Sequence, residues 1–189
     1  ITPEKYFHKD APEHIYSIKG RKQLNDWAKI FIGAIGVSPY NTVELEENNY
    51  SNITTLPLLI EMDKFGQNQA ERPTLWGLNP LRPLLISIGR IVENKRQHLL
   101  LEAYWALKQM LKGETLPQLV IAGGTTSPNY DQALRQRILD LDLSADVLMP
   151  GKCSDQELTW LYQNADAYWC ASEHEGFCMP LIEAGYFGL

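Results

Sequence analysis

Past Pro83 the apolar positions fall into two alternating textures. Short dense runs of the kind expected for strands buried on both faces alternate with longer stretches of apolar residues at three- and four-residue spacing, the helical signature. The runs predict strands over Leu84–Ile88, over Gln118–Ala122 (closed by Gly123 and Gly124), around Val147 (ended by Pro150 and Gly151) and over Ala167–Ala171. Between them the spacing predicts helices over Lys95–Leu111, Tyr130–Leu141 and Ser154–Asn164, with a last helix from near Pro180. The first carries Leu100, Ala103, Tyr104, Leu107 and Leu111 on one side. Ser154, Asp155, Gln156 and Glu157 form a capping box that opens the third. Strands alternating with helices predict an α/β, Rossmann-like parallel sheet with helices on both faces. Such sheets bind ligands outside the carboxyl ends of their strands.

The first part of the chain reads as helix (Ile18–Phe31), short strand (Gly33–Val37), helix and strand (Ile53–Leu56, closed by Pro57). Ser38 followed by Pro39 is an N-cap with proline at the first helical position, and that second helix runs to about Glu47. From Glu61 to Pro83 the periodicity is broken by Gly66, Gln67, Asn68, Gln69, Pro73, Gly77, Asn79 and Pro80. The resulting division is residues 1–60, a linker over 61–83, and a second domain over 84–189.

Charge and cysteine content narrow the function classes. A net charge of -6 and a pI near 5.2 argue against nucleic-acid binding, which needs a cationic face, but leave room for a small phosphate site. Cys153, Cys170 and Cys178 contain no C-x-x-C pair and are too few for a disulfide framework, so reduced thiols of a cytoplasmic protein are expected. No apolar stretch approaches a membrane span and no secretory signal stands at the start. Ile1 in place of methionine, and an apolar helical run still open at Leu189, lead to the expectation of a piece of a longer chain.

The residues after the predicted strands carry the candidate chemistry. Gly89-Arg90 follows the first, with Lys95 at the start of the next helix. Gly123-Gly124 follows the second and Gly151-Lys152-Cys153 the third. The fourth is followed by Ser172-Glu173-His174-Glu175-Gly176-Phe177-Cys178-Met179-Pro180, leading to Glu183. Gly176 permits close backbone approach, Pro180 suits a first helical turn, and a helix start there is an anion site. Glu183, expected in that first turn, makes sense beside an anion if it accepts hydrogen bonds from the vicinal hydroxyls of a ribose. Arg90 and Lys95 supply the cations for a diphosphate. No Asp-x-Asp of the kind that holds a divalent cation follows any of the predicted strands, so no metal is expected.

Other residues carry blander readings. Gly123-Gly124 reads as a tight turn or a ligand contact, and His174 as a ligand or a surface residue. His98 reads as a helix surface residue, and Trp105, Trp160 and Trp169 as packing residues. Cys178 lines a pocket, since no histidine–cysteine dyad is evident. The G-x-G-x-x-G of a dinucleotide site is replaced by Gly89-Arg90-Ile91-Val92-Glu93-Asn94, which disfavours NAD.

Taken in order, Gly89-Arg90 with Lys95, Val120-Ile121-Ala122-Gly123, Gly151, Glu157-Leu158 and Glu175-Gly176-Phe177 to Glu183-Ala184 resemble the C-terminal domain of glycosyltransferase family 4. Residues 32–65, with Ser38-Pro39-Tyr40-Asn41, Leu56-Pro57 and Asp63-Lys64-Phe65, resemble the end of its N-terminal domain. The resemblance implies a GT-B fold and transfer of a sugar from a UDP- or GDP-linked donor to an acceptor hydroxyl, with retention and no metal. It implies that Arg90 and Lys95 bind the diphosphate and that Glu183 holds the ribose. Glu175 would lie by the donor sugar, Gly176 and Phe177 would offer backbone contacts, and Lys152 and Cys153 would sit beside the base. Cys178 stands where the family often has glycine. The family's acceptors, glycan or lipid-linked, imply surface-polysaccharide assembly, with peripheral association of a full-length enzyme at the inner face of the membrane. This span alone is expected to bind donor weakly and to catalyse little; a non-catalytic nucleotide-sugar-binding module is the alternative.

Overall fold

The computed structural model describes residues 1–7, 9–66, 70–73 and 76–189. It divides into two compact units: Ile1–Glu61 with His174–Cys178, and Met62–Glu173 with Met179–Leu189. Gln67, Asn68 and Gln69 of the predicted linker, and His8, lie outside the described residues. The described part of 62–83 belongs to the second unit.

The first unit contains helix α1 (Pro12–Trp27), strand β1 (Ala34–Gly36), helix α2 (Pro39–Glu47) and strand β2 (Ile53–Thr55). β1 and β2 pair in parallel, with Ile35 opposite Thr54. The predicted cap of α2 forms as read: Pro39 opens the helix and Ser38 Oγ accepts the Asn41 N–H at 3.3 Å. α1 begins earlier than the predicted Ile18 and stops before Phe31. Its start is set by Pro12, whose fixed φ and missing N–H suit the first turn, and not by apolar spacing. Its apolar face is weak, with Ile15, Tyr16 and Ile18 all exposed, so periodicity misjudged both ends.

The second unit is built on a four-stranded sheet, β3 (Leu84–Ile88), β4 (Gln118–Ala122), β5 (Val147–Gly151) and β6 (Ala167–Tyr168). The order is β5-β4-β3-β6 and every pairing is parallel. Alternate strand residues face opposite ways, and two cores result. Leu85, Leu119, Ile121, Val147 and Met149 pack with Leu101 and Tyr104 of helix α3 (Gln97–Met110) and with Leu134 and Ile138 of α4 (Pro128–Asp140). Leu84, Ile86, Val120 and Ala122 pack with Trp160, Leu161 and Tyr162 of α5 (Asp155–Asn164) and with Ala184 of α6 (Met179–Tyr186). Helices thus cover both faces, as the sequence predicts. Both halves of the capping box of α5 are present, Ser154 with Glu157.

Several predicted boundaries change. β6 is two residues long, not five, although Trp169 still donates its N–H to the Ile86 carbonyl at 2.7 Å. Pro150 lies inside β5, which tolerates a missing N–H because it is an edge strand. α3 starts at Gln97, not Lys95. A short 3-10 turn, Glu93–Lys95, comes first, and Arg96 separates the two in the left-handed region at φ 52°. Phe65 is buried in the second core against Tyr162 and Phe187, with ring centroids 5.5 and 5.3 Å away.

At the amino edge of the sheet Asp146 is buried between two cations. Arg82 Nη2 lies 2.6 Å from its Oδ1 and Lys108 Nζ 3.0 Å from its Oδ2. Burial pushes this carboxyl up, but the hydrogen bonds and charges of Arg82 and Lys108 outweigh it and hold the group below its ordinary value.

Candidate functional site

In the order β5-β4-β3-β6 the chain leaves β3 toward β4 and β5, then returns to the other side of β3 as β6. The strand order reverses between β3 and β6, and in open parallel sheets that is where loops at the carboxyl ends diverge to leave a crevice.

Two glycines form the backbone beside it. Gly89 follows β3 and Gly123 follows β4, at φ 155° and 157°. Gly89 donates its N–H to the Ala122 carbonyl at 2.9 Å, Gly123 to Gly151 at 2.8 Å, and Ile91 to Gly124 at 3.0 Å. The parallel ladder therefore continues past the strand ends. A Cβ on Gly123 would stand 1.8 Å from the Gly89 carbonyl oxygen, so no other residue fits there. The two strand ends touch backbone to backbone, which gives the tight-turn reading of Gly123 a steric rationale, and neither residue carries a side chain there.

Arg90, next along, has an exposed side chain, and its carbonyl accepts Gln97 Nε2 at 2.8 Å. Lys95 is half-buried in the 3-10 turn, its N–H donated to Val92 at 3.0 Å. Residues that the sequence reading passed over fix this loop. Arg96 forms an ion pair with Glu173, donating through Nε at 2.6 Å and through Nη2. Glu173 donates its own N–H to the carbonyl of buried Asn94 at 3.0 Å. Ser127 Oγ donates to Glu93 Oε1 at 2.6 Å. The loops after β3, β4 and β6 are thereby tied to one another. The acid-rich run at Glu173 and the cation adjacent to Lys95 were visible signals, but their pairing spans 77 positions and no local pattern encodes it.

Lys152 is exposed beside Gly124. The half-buried Cys153 places Sγ 3.7 Å from the Gly151 carbonyl, and burial, helped by the charge of Glu157, pushes its thiol up to about 11. It is therefore a protonated, unreactive thiol at neutral pH. His98, read as a surface residue, instead links α3 to α4 with Nδ1 3.0 Å from the Tyr130 hydroxyl, and burial lowers its pKa.

Glu183 departs most from expectation. It is the fifth residue of α6, not part of its first turn, and it is only 5% exposed. Its Oε2 accepts the hydroxyl of buried Tyr162 at 2.8 Å, and its Oε1 accepts Lys64 Nζ at 2.6 Å. Glu175, Gly176, Phe177 and Cys178 group with the first unit, together with His174. His174 stacks on Tyr6, centroids 5.9 Å apart, and meets the edge of Tyr40 at 6.3 Å; burial lowers its pKa. Cys178 has φ 56°, a left-handed conformation that gives a physical reason for glycine at such a position. Among the described residues no helix is long and apolar enough to cross a membrane.

The sequence family described as Glycosyl transferases group 1 matches residues 70–189. A curated relative, the D-inositol 3-phosphate glycosyltransferase of Nocardia farcinica, is 27% identical over 178 residues, covering 93% of this chain and 39% of its own length. Among solved structures, Anabaena HepE in complex with UDP and glucose superposes with a TM-score of 0.72 at 17% identity, over 94% of this chain and 48% of that one. The pneumococcal O-GlcNAc transferase GtfA in complex with UDP and GlcNAc gives 0.65 at 21% identity, over 89% and 31%. Such likeness shows the fold, that of GT-B glycosyltransferases. The chain spans less than half the length of each of these relatives.

Proposed function

This chain belongs to the glycosyl transferases group 1 family, and from that premise we propose that it carries the donor-binding machinery of an enzyme moving a sugar from a nucleoside diphosphate to an acceptor hydroxyl. The observation that carries the reading is the side-chain-free backbone surface at Gly89 and Gly123, at the carboxyl ends of parallel strands, with Arg90 exposed beside it and Lys95 on the same loop. A diphosphate needs close backbone approach and cationic neutralisation, and this edge offers both.

Arg90 and Lys95 bind the diphosphate. As the anomeric bond breaks, negative charge grows on the leaving phosphate, and cations already in place stabilise it without reorganisation. Glu183 accepts the ribose hydroxyls. Glu175, with backbone groups of Gly176 and Phe177 and the side chain of Cys178, serves the donor sugar; Lys152 and Cys153 flank the base. Transfer proceeds with retention, as the family resemblance implies, and without a metal, since Arg90 and Lys95 neutralise the diphosphate. UDP is the preferred nucleotide, a reading supported by the UDP-bound relatives. The acceptor is a glycan or lipid-linked glycan on the cytoplasmic side of a membrane, and the product is a surface polysaccharide.

Isothermal titration of UDP, GDP and ADP tests this. Binding of UDP, unchanged in EDTA and weakened by Arg90→Ala, is the expected result. Binding of none of the three, or binding that requires magnesium, would overturn the donor reading or its metal-free form respectively.

A further inference from the structure

Glu183 is held by two groups of different kinds. Tyr162, whose hydroxyl donates to Oε2, is about 1% exposed and its ring stacks flat on Phe187, centroids 5.4 Å apart and planes 2° from parallel. That contact is locked into the core. Lys64, which donates to Oε1, has a side chain 42% exposed, against 7% for Glu183. Its ammonium also lies over the face of Phe65, 4.7 Å from the ring centroid. Water reaches Lys64, and its long flexible stem lets the ammonium swing out.

We infer that Lys64 is an exchangeable placeholder on Glu183, occupying the carboxylate oxygen that the donor's ribose hydroxyls take over. The inference rests on the reading of Glu183 as the ribose acceptor. Opening the pair leaves a buried carboxylate with the Tyr162 bond alone, an unfavourable state, so the open fraction is small. Two vicinal hydroxyls arriving at Oε1 replace the ammonium, while the Tyr162 bond keeps the carboxylate in place through the exchange. The cost of displacing Lys64 lowers donor affinity, since only the open fraction of the protein is competent to bind. Lys64 therefore sets affinity for the ribose, and a side chain that cannot pair with Glu183 raises it.

The test is titration of UDP and of 2′,3′-dideoxy-UDP against wild type, Lys64→Met and Lys64→Arg. If about nine-tenths of the protein is Lys64-engaged, Lys64→Met tightens UDP binding roughly tenfold. Lys64→Arg, a stronger forked donor to carboxylates, weakens it. Binding of 2′,3′-dideoxy-UDP, which has no hydroxyls to exchange for the ammonium, responds much less to either change. A purely structural role for Lys64 would weaken both ligands in Lys64→Met, and that result overturns the proposal, as does unchanged UDP affinity in that variant. Should Lys64→Met fail to fold, Lys64→Ala, which has no donor for Glu183, carries with the arginine variant the same opposed expectation. Equal binding of UDP and 2′,3′-dideoxy-UDP to wild type would instead remove the ribose role of Glu183 itself, and absence of UDP binding would remove the donor reading; both are distinct from failure of the exchange alone.

Discussion

Gly123 rests against the carbonyl of Gly89 so closely that a Cβ at residue 123 would stand 1.8 Å from that oxygen. The obstacle is backbone, fixed by the ladder bonds of β3 and β4, and cannot move aside as a side chain would. Gly123→Ala is therefore expected to separate the two strand ends and to cost about 3 kcal/mol of stability. Urea unfolding measures it. Gly124→Ala, whose Cβ would meet only the Lys152 side chain at 3.8 Å, is the control and should be nearly silent.

The Arg96–Glu173 pair is expected to matter little for stability and more for ligand. Both side chains are over a third exposed, so Glu173→Gln should change the unfolding free energy by less than about 1 kcal/mol. It should still weaken UDP binding, because the pair fixes the loop that bears Lys95 against the end of β6. Arg96→Gly loses the same pair but relieves a left-handed φ of 52°, so it should be more stable than Arg96→Ala by about 1 kcal/mol. Parallel thermal melts and UDP titrations separate the two effects.

Lys95 and Glu183 should differ in kinetics. In a full-length enzyme Lys95→Ala should lower kcat more than it raises donor KM, since charge on the diphosphate increases toward the transition state. The loss should be on the order of 2–4 kcal/mol in activation free energy. Glu183→Gln should chiefly raise donor KM, because a ribose contact is alike in ground and transition states. Loss of kcat alone in Glu183→Gln would make that residue a participant in the chemistry.

Asp146 gives the fold an acid limb. Its carboxyl is held below its unfolded value of about 3.9, so the stabilisation is complete above that pH and is lost as pH falls through the folded value. Asp146→Asn should lower stability at pH 7 by about 2 kcal/mol and flatten the fall below pH 4. Unfolding curves taken from pH 7 to pH 3 would show it.

The parallel α/β architecture was legible in the sequence because dense apolar runs and helical spacing are local consequences of burial on two faces and on one. The cap at Ser38, the capping box at Ser154 and the strand bounds of β3 and β4 were legible for the same reason: each depends on a few adjacent residues. Arg90, Lys95 and the glycines were legible as candidates because open parallel sheets bind ligands after their strands, and their place after β3 and β4 follows from the strand pattern. What lay outside the sequence's reach was every relationship closed through space. Arg96 in a left-handed turn paired to Glu173, the Cβ-excluding contact of Gly123 with Gly89, and the Asp146 cluster each join segments dozens of residues apart. Glu183 shows the division most plainly. Its identity and place in the chain were readable, but its partners were decided by the core that buries Tyr162 and by the turn that delivers Lys64 from 119 positions away. Local pattern sets which face of an element is apolar; only packing decides which polar groups lose water and must find each other.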